Sequence, residues 1–443
     1  MLFIFRNMVK YYKHLFFSLK FSLTAVCKLT QVNDSVTLQK NISEVHRDAK
    51  FDVENITEHN IIQSKKLGNC GMIASMASLA NNRELINKVI PTDQNFKKFC
   101  NSDIRKPSEF SFNLYKYGKP QLVVVNESLI FWNNSVNSNK LYYSDGLNNN
   151  FVGPLLEKAL VQLLFKGNYE LTHYIDSVKV FSSFSNNFCK EFYETNLSDL
   201  GYKLKDVLTH GKNTNSLMVI GFKNNLSQYN VYNCHEYTLI DYTEDIVKLY
   251  NPYGKYTMIP RNIVIENFDR LIILYKDNEI FGIPKLNTFV KFTDSWKEVN
   301  LDKGISYVDY DLIVEQDDTE VLVNILKKDY KDIVRLIHII PINNNVISNE
   351  EKEMSKLKSK GYIKSSLRAV LRKGKYKLRL EQTLYDHNIS GRHQKYSDYS
   401  ENDKNDFFLQ FAASKHCVVK KSDETKKYIN ETFNWFIEFI LDL

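Results

Sequence analysis

The spacing of apolar residues changes once along this 443-residue chain, and that change is the strongest constraint on its fold. In residues 70–87 and 152–165, large apolar side chains recur at the spacing of buried helices. From residue 216 onward, short apolar runs alternate with turns, which is typical of antiparallel strands. Helices followed by strands predict an α+β protein. The length predicts more than one structural unit, because it exceeds what one hydrophobic core usually supports.

The same patterns predict individual elements. The helix over 70–87 begins at Cys70, and the helix over 152–165 is apolar on both faces, which predicts a central position. The later strands predict an all-β sandwich, followed by a helix over 424–441. The predicted strands are 110–115, 121–125, 217–222, 236–241, 246–250 and 271–275, then 309–314, 320–325, 334–340, 376–381 and 406–411.

Composition favours a packed globular protein without a nucleic-acid partner. Hydrophobic residues make up 43% of the chain, and the formal net charge of +7 is scattered over lysines. No motif for binding RNA or DNA is present. The six cysteines are dispersed, without a pair or cluster at metal-ligand spacing. A reducing, cytoplasmic setting fits this pattern best.

The first thirty residues combine apolar and basic side chains. The charges interrupt every apolar run, so neither a signal-peptide core nor a transmembrane segment is predicted. Arg6, Lys10, Lys13 and Lys20 recur at helical spacing and predict a basic amphipathic helix. Three interpretations fit this helix: a packing or docking element, a membrane-surface contact, or a degenerate signal peptide.

Cys70 is the first candidate for catalysis. A thiol becomes an effective nucleophile when a helix N-terminus and a nearby imidazole stabilise its thiolate. Cys70 is predicted at a helix start, and Gly68 allows the preceding backbone to approach a substrate closely. Taken alone, this is weak evidence, because a lone buried cysteine is far more often a small core residue.

His235 and Asn251 form the second candidate pair. His235 stands at the head of the predicted strand 236–241, and Asn251 follows the strand 246–250. Pairing of these strands would place the Asn251 amide beside the imidazole, where it can fix the tautomer. A structural histidine and a simple Asn-Pro-Tyr-Gly turn are the alternative interpretations.

Several motifs, in one order, resemble those of the calpain family of cysteine proteases. The resemblance covers roughly residues 61–275 and implies a papain-like core of two lobes. It also implies that Cys70 is the nucleophile, His235 the general base and Asn251 the residue that orients the histidine. The matching segments are Gly68 to Leu79 with 91–94, then 110–117, 123–127, 155–159, 167–170, His235-Glu236-Tyr237 and Asn251-Pro252-Tyr253-Gly254.

The remainder of the chain resembles one group within this family. Segments 292–296, 307–312 and 365–381 are similar to the C2-like antiparallel β-sandwich that follows the protease core in PalB-like calpains. The sequence contains no EF-hand loop, which favours this group over the conventional calpains. The predicted domains are an N-terminal basic helix and linker (1–45), protease lobe 1 (46–176), protease lobe 2 (177–283), the C2-like sandwich (284–420) and a C-terminal helix (421–443).

The active-site segment departs from the family pattern. The family's oxyanion hole combines the cysteine N–H with an upstream glutamine side chain, which implies Gln63. One extra residue separates Gln63 from Cys70, which predicts a bulge at Lys65 and Lys66. Gly71 replaces the family's tryptophan, which predicts lost packing and a weaker helix start. Tyr253 replaces a second tryptophan and can still shield the histidine.

Calcium binding is expected to be absent or weak, and no other cofactor is predicted. In conventional calpain cores an aspartate upstream of the glutamine is a calcium ligand, and Asn60 stands at that position. A neutral amide lowers affinity for a hard cation. The acidic residues between 309 and 320 are interpreted as a solvated edge, with a calcium or basic-partner site as the alternative.

These observations predict a calpain-like intracellular endopeptidase that performs limited proteolysis of protein substrates. The alternative is a weak or inactive adaptor that keeps the calpain fold for protein or membrane binding. The lysine-rich and arginine-rich run 352–379 fits either a solvated face or a surface for anionic lipid. Resemblance to PalB-like calpains implies ESCRT-type partners and a location at endosomal membranes.

Overall fold

The fold is taken from a computed structural model of the chain. The described residues are 37–64, 67–96, 107–116, 118–133, 140–173, 175–194, 197, 203–276, 279–281, 287–295, 305–327, 333–342, 366–384 and 406–422. Within them, no helix has the length and apolarity needed to cross a membrane. The predicted helices in 1–30 and 424–441 lie outside these residues, as does the basic stretch 352–364.

Residues 37–184 form a lobe in which helices pack against two small sheets. Its elements are β1 (Thr37–Asn41), α1 (Ile42–Val45), α2 (Cys70–Ala80), α3 (Arg83–Val89), β2 (Glu109–Lys116), β3 (Lys119–Asn126), β4 (Ser128–Trp132), α4 (Val152–Phe165) and α5 (Ser177–Phe184). β1 pairs with β4 and β2 pairs with β3, both antiparallel. The two predicted strands of this region lie in β2 and β3, and α4 has the predicted bounds. β1 falls in the stretch that the sequence assigned to the N-terminal linker.

The single helix predicted over 70–87 is two helices. α2 is buried along nearly its whole length, because it consists of small and apolar residues. It ends at Ala80, and α3 begins after Asn82, whose side chain accepts a hydrogen bond from Leu85 N. An asparagine at an N-cap satisfies one of the first backbone N–H groups of a new helix. The prediction of one continuous helix is therefore wrong at Asn81 and Asn82.

Residues 189–274 form a six-stranded antiparallel sheet with two helices. Its elements are β5 (Cys189–Tyr193), α6 (Leu204–Asn213), β6 (Leu217–Phe222), β7 (Glu236–Tyr242), β8 (Ile246–Asn251), β9 (Lys255–Pro260), α7 (Arg261–Asn267) and β10 (Phe268–Leu274). The strand order is β5-β10-β6-β7-β8-β9. The sequence predicts β6, β7, β8 and β10 but neither of the two edge strands. β9 is mostly exposed, so it lacks the alternation that reveals a half-buried strand.

α2 joins the helical lobe to the sheet. Ser78 Oγ accepts a hydrogen bond from Met218 N on β6 at 3.1 Å, and Thr238 Oγ1 on β7 donates to Ala74 O at 2.7 Å. The N-terminal turn of α2 lies against the first residue of β7. Cys70 is therefore held at the junction of the two lobes.

Residues 288–421 form two four-stranded antiparallel sheets that share one apolar cluster. The strands are β11 (Thr288–Ser295), β12 (Ile305–Val314), β13 (Thr319–Lys327), β14 (Ile333–Pro341), β15 (Ser366–Leu371), β16 (Gly374–Leu384), β17 (Asp406–Ala413) and β18 (Cys417–Lys421). One sheet has the order β11-β17-β13-β15 and the other β14-β16-β12-β18. Tyr310 from one sheet and Phe411 from the other are both fully buried in the shared cluster, so the sheets pack face to face. The five strands predicted here lie in β12, β13, β14, β16 and β17.

Opposite charges of this region pair across neighbouring strands. Asp309 is 2% exposed and accepts two hydrogen bonds of 2.9 Å from the Arg379 guanidinium. Asp311 lies opposite Lys377 and Lys420 in the strand register. The carboxylate of Asp309 is thus engaged by arginine, which removes one candidate ligand from the calcium interpretation of residues 309–320.

Buried amides attach this pair of sheets to the rest of the chain. Asn324 Nδ2 donates to Cys189 O at 2.7 Å, and Gln410 Nε2 donates to Asn187 O at 2.9 Å. Leu322 packs into the apolar cluster of the six-stranded sheet. These contacts meet at the start of β5, which also pairs with β10. β5 is therefore held both by the six-stranded sheet and by the pair of four-stranded sheets.

Candidate active site

Cys70 is the first residue of α2, and polar contacts hold the backbone just before it. Asn69 Nδ2 donates to Glu157 Oε1 at 2.8 Å, and both residues are 1% exposed. Gly68 N donates to His173 Nδ1 at 3.0 Å. These two contacts fix the backbone before α2. The first N–H groups of a helix have no partner within the helix and point toward its N-terminus, where Cys70 lies.

His235 precedes β7 and Asn251 ends β8, and the structure brings their side chains together. Asn251 Oδ1 lies 3.1 Å from His235 Nε2 and also accepts a hydrogen bond from Tyr253 N at 3.0 Å. A backbone N–H can only donate, so the Asn251 atom that faces Tyr253 N is the oxygen. His235 Nε2 must then carry the ring proton. The lone pair of Nδ1 is left to accept a proton.

Two aromatic rings enclose the imidazole. Tyr253 stacks on His235 with 5.2 Å between ring centroids and 13° between ring planes. Tyr237 meets the imidazole edge to face at 4.9 Å. Burial lowers the pKa of His235, and the hydrogen bond with Asn251 opposes this effect. The imidazole is therefore neutral at neutral pH and can act as a base.

The thiol of Cys70 lies beside the backbone that carries the histidine. Burial raises its pKa to about 11, and the negative charge of Glu236 adds to the increase. Hydrogen bonds from the backbone N–H groups of Glu236 and Gly71 lower the pKa of the thiol, so the sulfur lies next to both groups. Glu236 directly follows His235, so the sulfur of Cys70 lies beside the backbone next to the histidine. The thiol is protonated at neutral pH.

Gln63, which the sequence assigned to the oxyanion hole, turns its amide toward its own loop. Gln63 Nε2 donates to Leu67 O at 2.7 Å, and Gln63 N donates to Pro252 O at 2.8 Å. In the described part of the chain, its buried Oε1 has no hydrogen-bond partner. The amide nitrogen carries a second N–H that the Leu67 contact does not use. The bulge predicted at Lys65 and Lys66 lies outside the described residues.

The prediction that Gly71 leaves lost packing is wrong. A Cβ atom at Gly71 would lie 2.5 Å from Ile175 O, 2.8 Å from Glu236 Oε2 and 3.1 Å from Ser177 Oγ. Carbon atoms do not approach oxygen this closely without displacing the backbone. The space beside the nucleophile is filled by a main-chain carbonyl and two polar side chains. Glycine is therefore the residue that this environment requires.

Asn60, at the position of a conventional calcium ligand, serves as a structural amide. Its Oδ1 accepts from Thr57 N at 2.9 Å, and its Nδ2 donates to Leu147 O at 3.0 Å. Among the described residues, no group of three or more His, Cys, Asp or Glu side chains is arranged to hold a metal ion. An amide bonded at both ends does not fit a calcium site of the conventional kind.

A buried ionic cluster next to Cys70 escaped sequence reasoning. Arg270 on β10 lies 2.8 Å from Glu236, 2.9 Å from Asp176 and 3.3 Å from Glu191. Ser177 hydrogen-bonds to Glu236 as well. A single arginine within the apolar strand Phe268–Leu274 was the available signal, because a charge in a buried strand needs partners. We call Asp176, Ser177, Glu191, Glu236 and Arg270 the ionic cluster.

A cysteine at a helix start, and a histidine whose tautomer is fixed by an amide on the neighbouring strand, are features of papain-type cysteine peptidases. Residues 16–259 match the family model described as calpain family cysteine protease. This match covers more than half of the 443 residues, so the chain belongs to the calpain family.

Calpains from several animals are similar to parts of the chain. Calpain-8 of mouse is 26% identical over 234 residues, which cover 49% of this chain and 31% of the mouse protein. Calpain clp-1 of Caenorhabditis elegans is 32% identical over 127 residues, 29% of this chain and 15% of the worm protein. Human calpain-8 is 31% identical over 155 residues, 35% of this chain and 20% of the human protein. The chain covers less than a third of the length of each of these relatives.

Proposed function

We propose that this calpain-family chain is a cysteine endopeptidase in which Cys70 is the nucleophile, His235 the general base and Asn251 the orienting residue. The observation that carries the proposal is the position of Asn251 Oδ1 between Tyr253 N and His235 Nε2. It leaves His235 Nδ1 as the proton acceptor. Limited cleavage of protein substrates at flexible segments is the expected reaction.

The proposed reaction is acyl transfer. As the Cys70 sulfur attacks the peptide carbonyl carbon, its proton moves to His235 Nδ1. The imidazolium then protonates the leaving amine, the C–N bond breaks and a thioester remains on Cys70. Water adds to the thioester with His235 again as base, which releases the carboxylic acid and restores the thiol.

The resting state of the proposed site is a neutral thiol next to a neutral imidazole. Burial favours the neutral form of both groups, raising the pKa of Cys70 and lowering that of His235. The thiolate therefore has to form together with attack, with the developing oxyanion stabilised by donors. The proposed donors are Cys70 N–H and the second N–H of Gln63 Nε2.

Calcium independence is part of the proposal. The amide of Asn60 is bonded to Thr57 and Leu147, which supports a structural role. Peptidase activity should be the same in excess EGTA and in millimolar calcium. A several-fold activation by calcium that magnesium at the same ionic strength does not produce would contradict independence.

Labelling by the epoxide E-64 tests the proposed nucleophile. The adduct should be found on the peptide that contains Cys70, and it should be lost in Cys70→Ala. Cys234 is the matched control, because it is an exposed free cysteine one residue from His235. Cys234→Ser should label at the wild-type rate. Labelling of Cys70 no faster than of Cys234 at any pH or calcium concentration would remove the peptidase proposal.

An adaptor without peptidase activity is the second candidate. The observation in its favour is Gln63 Nε2, whose contact with Leu67 O draws the amide toward its own loop. An adaptor would give no Cys70-specific labelling, and Cys70→Ala would bind protein partners as the wild type does. A peptidase would instead cleave a casein substrate, and Cys70→Ala would abolish the cleavage.

The face-to-face sheets of residues 288–421 are proposed to be the C2-like sandwich of a PalB-like calpain that works in the cytoplasm at endosomal membranes, with ESCRT-type partners. Arg372, Lys373 and Lys375 are exposed together at one end of β16, which supports contact with anionic lipid. Reversing Lys373 and Lys375 to glutamate should reduce pelleting with phosphatidylserine vesicles. Reversal of Lys119 on β3 is the control, and equal pelleting of all three proteins would remove the lipid proposal.

A further inference from the structure

The ionic cluster joins several elements directly beside the nucleophile. Asp176 caps α5, Glu191 lies on β5, Glu236 starts β7 and Arg270 lies on β10. The side chains of Glu191 and Glu236 are only 8% and 14% exposed. Three carboxyl groups thus share one guanidinium. With all groups ionised the cluster would carry two uncompensated negative charges, so it favours keeping a proton.

Geometry separates the three carboxyl groups. Arg270 Nη2 lies within 2.9 Å of both Asp176 and Glu236, whereas Arg270 Nε faces Glu191 at 3.3 Å without hydrogen-bond geometry. Burial raises the pKa of Glu191 to about 7 and also raises that of Glu236. Glu191 thus lacks the close contact with the guanidinium that Asp176 and Glu236 make. Glu236 is the carboxyl that faces the thiol.

The hydroxyl of Ser177 connects Glu236 to the helix of the nucleophile. Ser177 Oγ lies 2.9 Å from Gly71 O and also within hydrogen-bond distance of Glu236 Oε2. A hydroxyl has one proton to donate. It donates to Glu236 when that carboxylate is ionised. When Glu236 is protonated, Glu236 donates to Ser177 and Ser177 donates to Gly71 O, in the first turn of α2.

We propose that Glu236 is a positioning residue for Cys70, acting through its charge and through the Ser177 hydroxyl, so that the reactivity of the nucleophile depends on the ionisation of Glu236. The inference rests on the proposed function, since it concerns the same thiol. An ionised Glu236 opposes thiolate formation by repulsion, and a neutral Glu236 relieves that repulsion and tightens the turn at Gly71. Glu236 also fills the space that makes glycine necessary at position 71.

The other groups that face the thiol are neutral, whereas those that face Glu236 are charged. The thiol is also faced by the phenol groups of Tyr237 and Tyr253, which are neutral at neutral pH. Burial first, and Cys70 among the smaller causes, raises the pKa of both phenols. The charges that face Glu236 belong to the ionic cluster: Arg270, Asp176 and Glu191.

The test is the pH dependence of Cys70 alkylation by iodoacetamide, followed on its own peptide by mass spectrometry. Glu236→Gln keeps the shape and can donate to Ser177, so it imitates the protonated state. Its alkylation midpoint should fall by about one pH unit, which is about tenfold faster alkylation below the midpoint. Glu191→Gln is the matched control and should stay within a few tenths of a unit. An unchanged midpoint in Glu236→Gln, or an equal shift in both variants, would overturn the proposal.

A second variant keeps the proposal testable if Glu236→Gln does not fold. Ser177→Ala removes the hydrogen bond that stabilises the ionised form of Glu236, so more of Glu236 is neutral at pH 7 and Cys70 should be alkylated faster there, by a smaller factor than in Glu236→Gln. Ser183→Ala, on the same helix, removes a hydroxyl that donates to Lys179 O and should leave the rate of Cys70 alkylation unchanged. Equal rates of Cys70 alkylation at pH 7 in Ser177→Ala and Ser183→Ala would contradict the role of the hydroxyl.

Failure of this inference is distinguishable from failure of the proposed function. Iodoacetamide reports the ionisation of the thiol whether or not the protein cleaves peptides. E-64 labelling of Cys70 with no midpoint shift in Glu236→Gln would leave the peptidase standing and remove the role of Glu236. A midpoint shift without E-64 labelling would do the reverse.

Discussion

The two proposed catalytic side chains are supported in opposite ways. His235 is held by neutral groups, the Asn251 amide and the Tyr253 ring. Cys70 lies against the ionic cluster, in which Arg270 is shared by three carboxyl groups. An amide has the same charge at every physiological pH, whereas buried carboxyl groups gain and lose protons. Orientation of the base should therefore be insensitive to pH, while the surroundings of the nucleophile should not be.

The comparison also separates geometry from stability. A neutral hydrogen bond costs little to bury because both partners are satisfied. A buried ion pair carries a large desolvation cost that is offset only while every partner is present. Substitutions in the ionic cluster should thus affect the free energy of unfolding more than substitutions around the histidine do.

Arg270→Leu should have the largest effect on stability. It leaves the buried carboxyl groups of Glu236 and Glu191 without the cation of Arg270, which should lower the free energy of unfolding by about 3–5 kcal/mol at pH 8. The loss should be smaller at pH 5, where the carboxyl groups take up protons. Urea unfolding followed by circular dichroism measures both values. Lys223→Leu removes a surface ion pair with Glu194 and should cost about 0–1 kcal/mol, so equal losses would contradict the distinction.

Glu191 should make the protein less stable as pH rises. Burial raises its pKa from 4.5 to about 7, so its stabilising effect is complete below pH 4.5 and is lost as pH rises through 7. The full loss is about 3 kcal/mol on the scale of 1.4 kcal/mol per pKa unit. Glu191→Gln should remove this slope between pH 5 and pH 8 in urea unfolding. Glu84→Gln changes an exposed carboxylate and serves as control, and a wild-type slope in Glu191→Gln would refute the assignment.

Asn251→Ala should impair catalysis while leaving the fold intact. Loss of a buried hydrogen bond to the imidazole costs about 1–3 kcal/mol, which is about a 5- to 150-fold decrease in kcat/KM. The acidic limb of the pH profile should shift to lower pH, because the hydrogen bond with Asn251 raises the pKa of His235 and the variant lacks it. Asn225 is the control, because its side-chain oxygen also accepts a hydrogen bond, from Asn233 N, but does not contact the imidazole. Asn225→Ala should leave kcat/KM unchanged. An unchanged kcat/KM together with an unchanged pH profile in Asn251→Ala would contradict the role of Asn251 as the support of the histidine.

Ser177→Ala should have the smallest effect on stability. It removes one hydroxyl between Gly71 O and Glu236 and should cost about 1 kcal/mol in urea unfolding. Ser183→Ala, whose hydroxyl bonds only within its own helix turn, should be nearly neutral. A loss as large as that of Arg270→Leu would show that the hydroxyl, and not the cation, holds the cluster together.

The sequence anticipated the histidine side of the site better than the cysteine side. His235 directly precedes β7, and Asn251 is the last residue of β8. These strands pair with Thr238 opposite Tyr250, so the strand pattern alone predicts that the two side chains lie close together. The ionic cluster joins residues up to 94 positions apart, such as Arg270 and Asp176, and no local pattern links them. Only the tertiary fold brings them into contact.

Resemblance to a family also had a limit that Gly71 illustrates. The family pattern supplied the expected tryptophan, and from its absence we predicted a gap. The family pattern did not predict which groups occupy that space instead. Glu236, Ser177 and Ile175 O fill it only in the folded chain. Helix α2 was misjudged for a related reason, since Asn82 can continue a helix by composition but caps a new one here.

The residue that follows Asn251 has a consequence for chemical ageing. Asparagine deamidates mainly when the next backbone nitrogen attacks the side-chain carbonyl and closes a succinimide ring. The next residue is Pro252, whose nitrogen bears no hydrogen and is closed into its own ring. The conversion of Asn251 to aspartate, which would place a negative charge against the imidazole, is therefore blocked by the covalent structure of the chain itself.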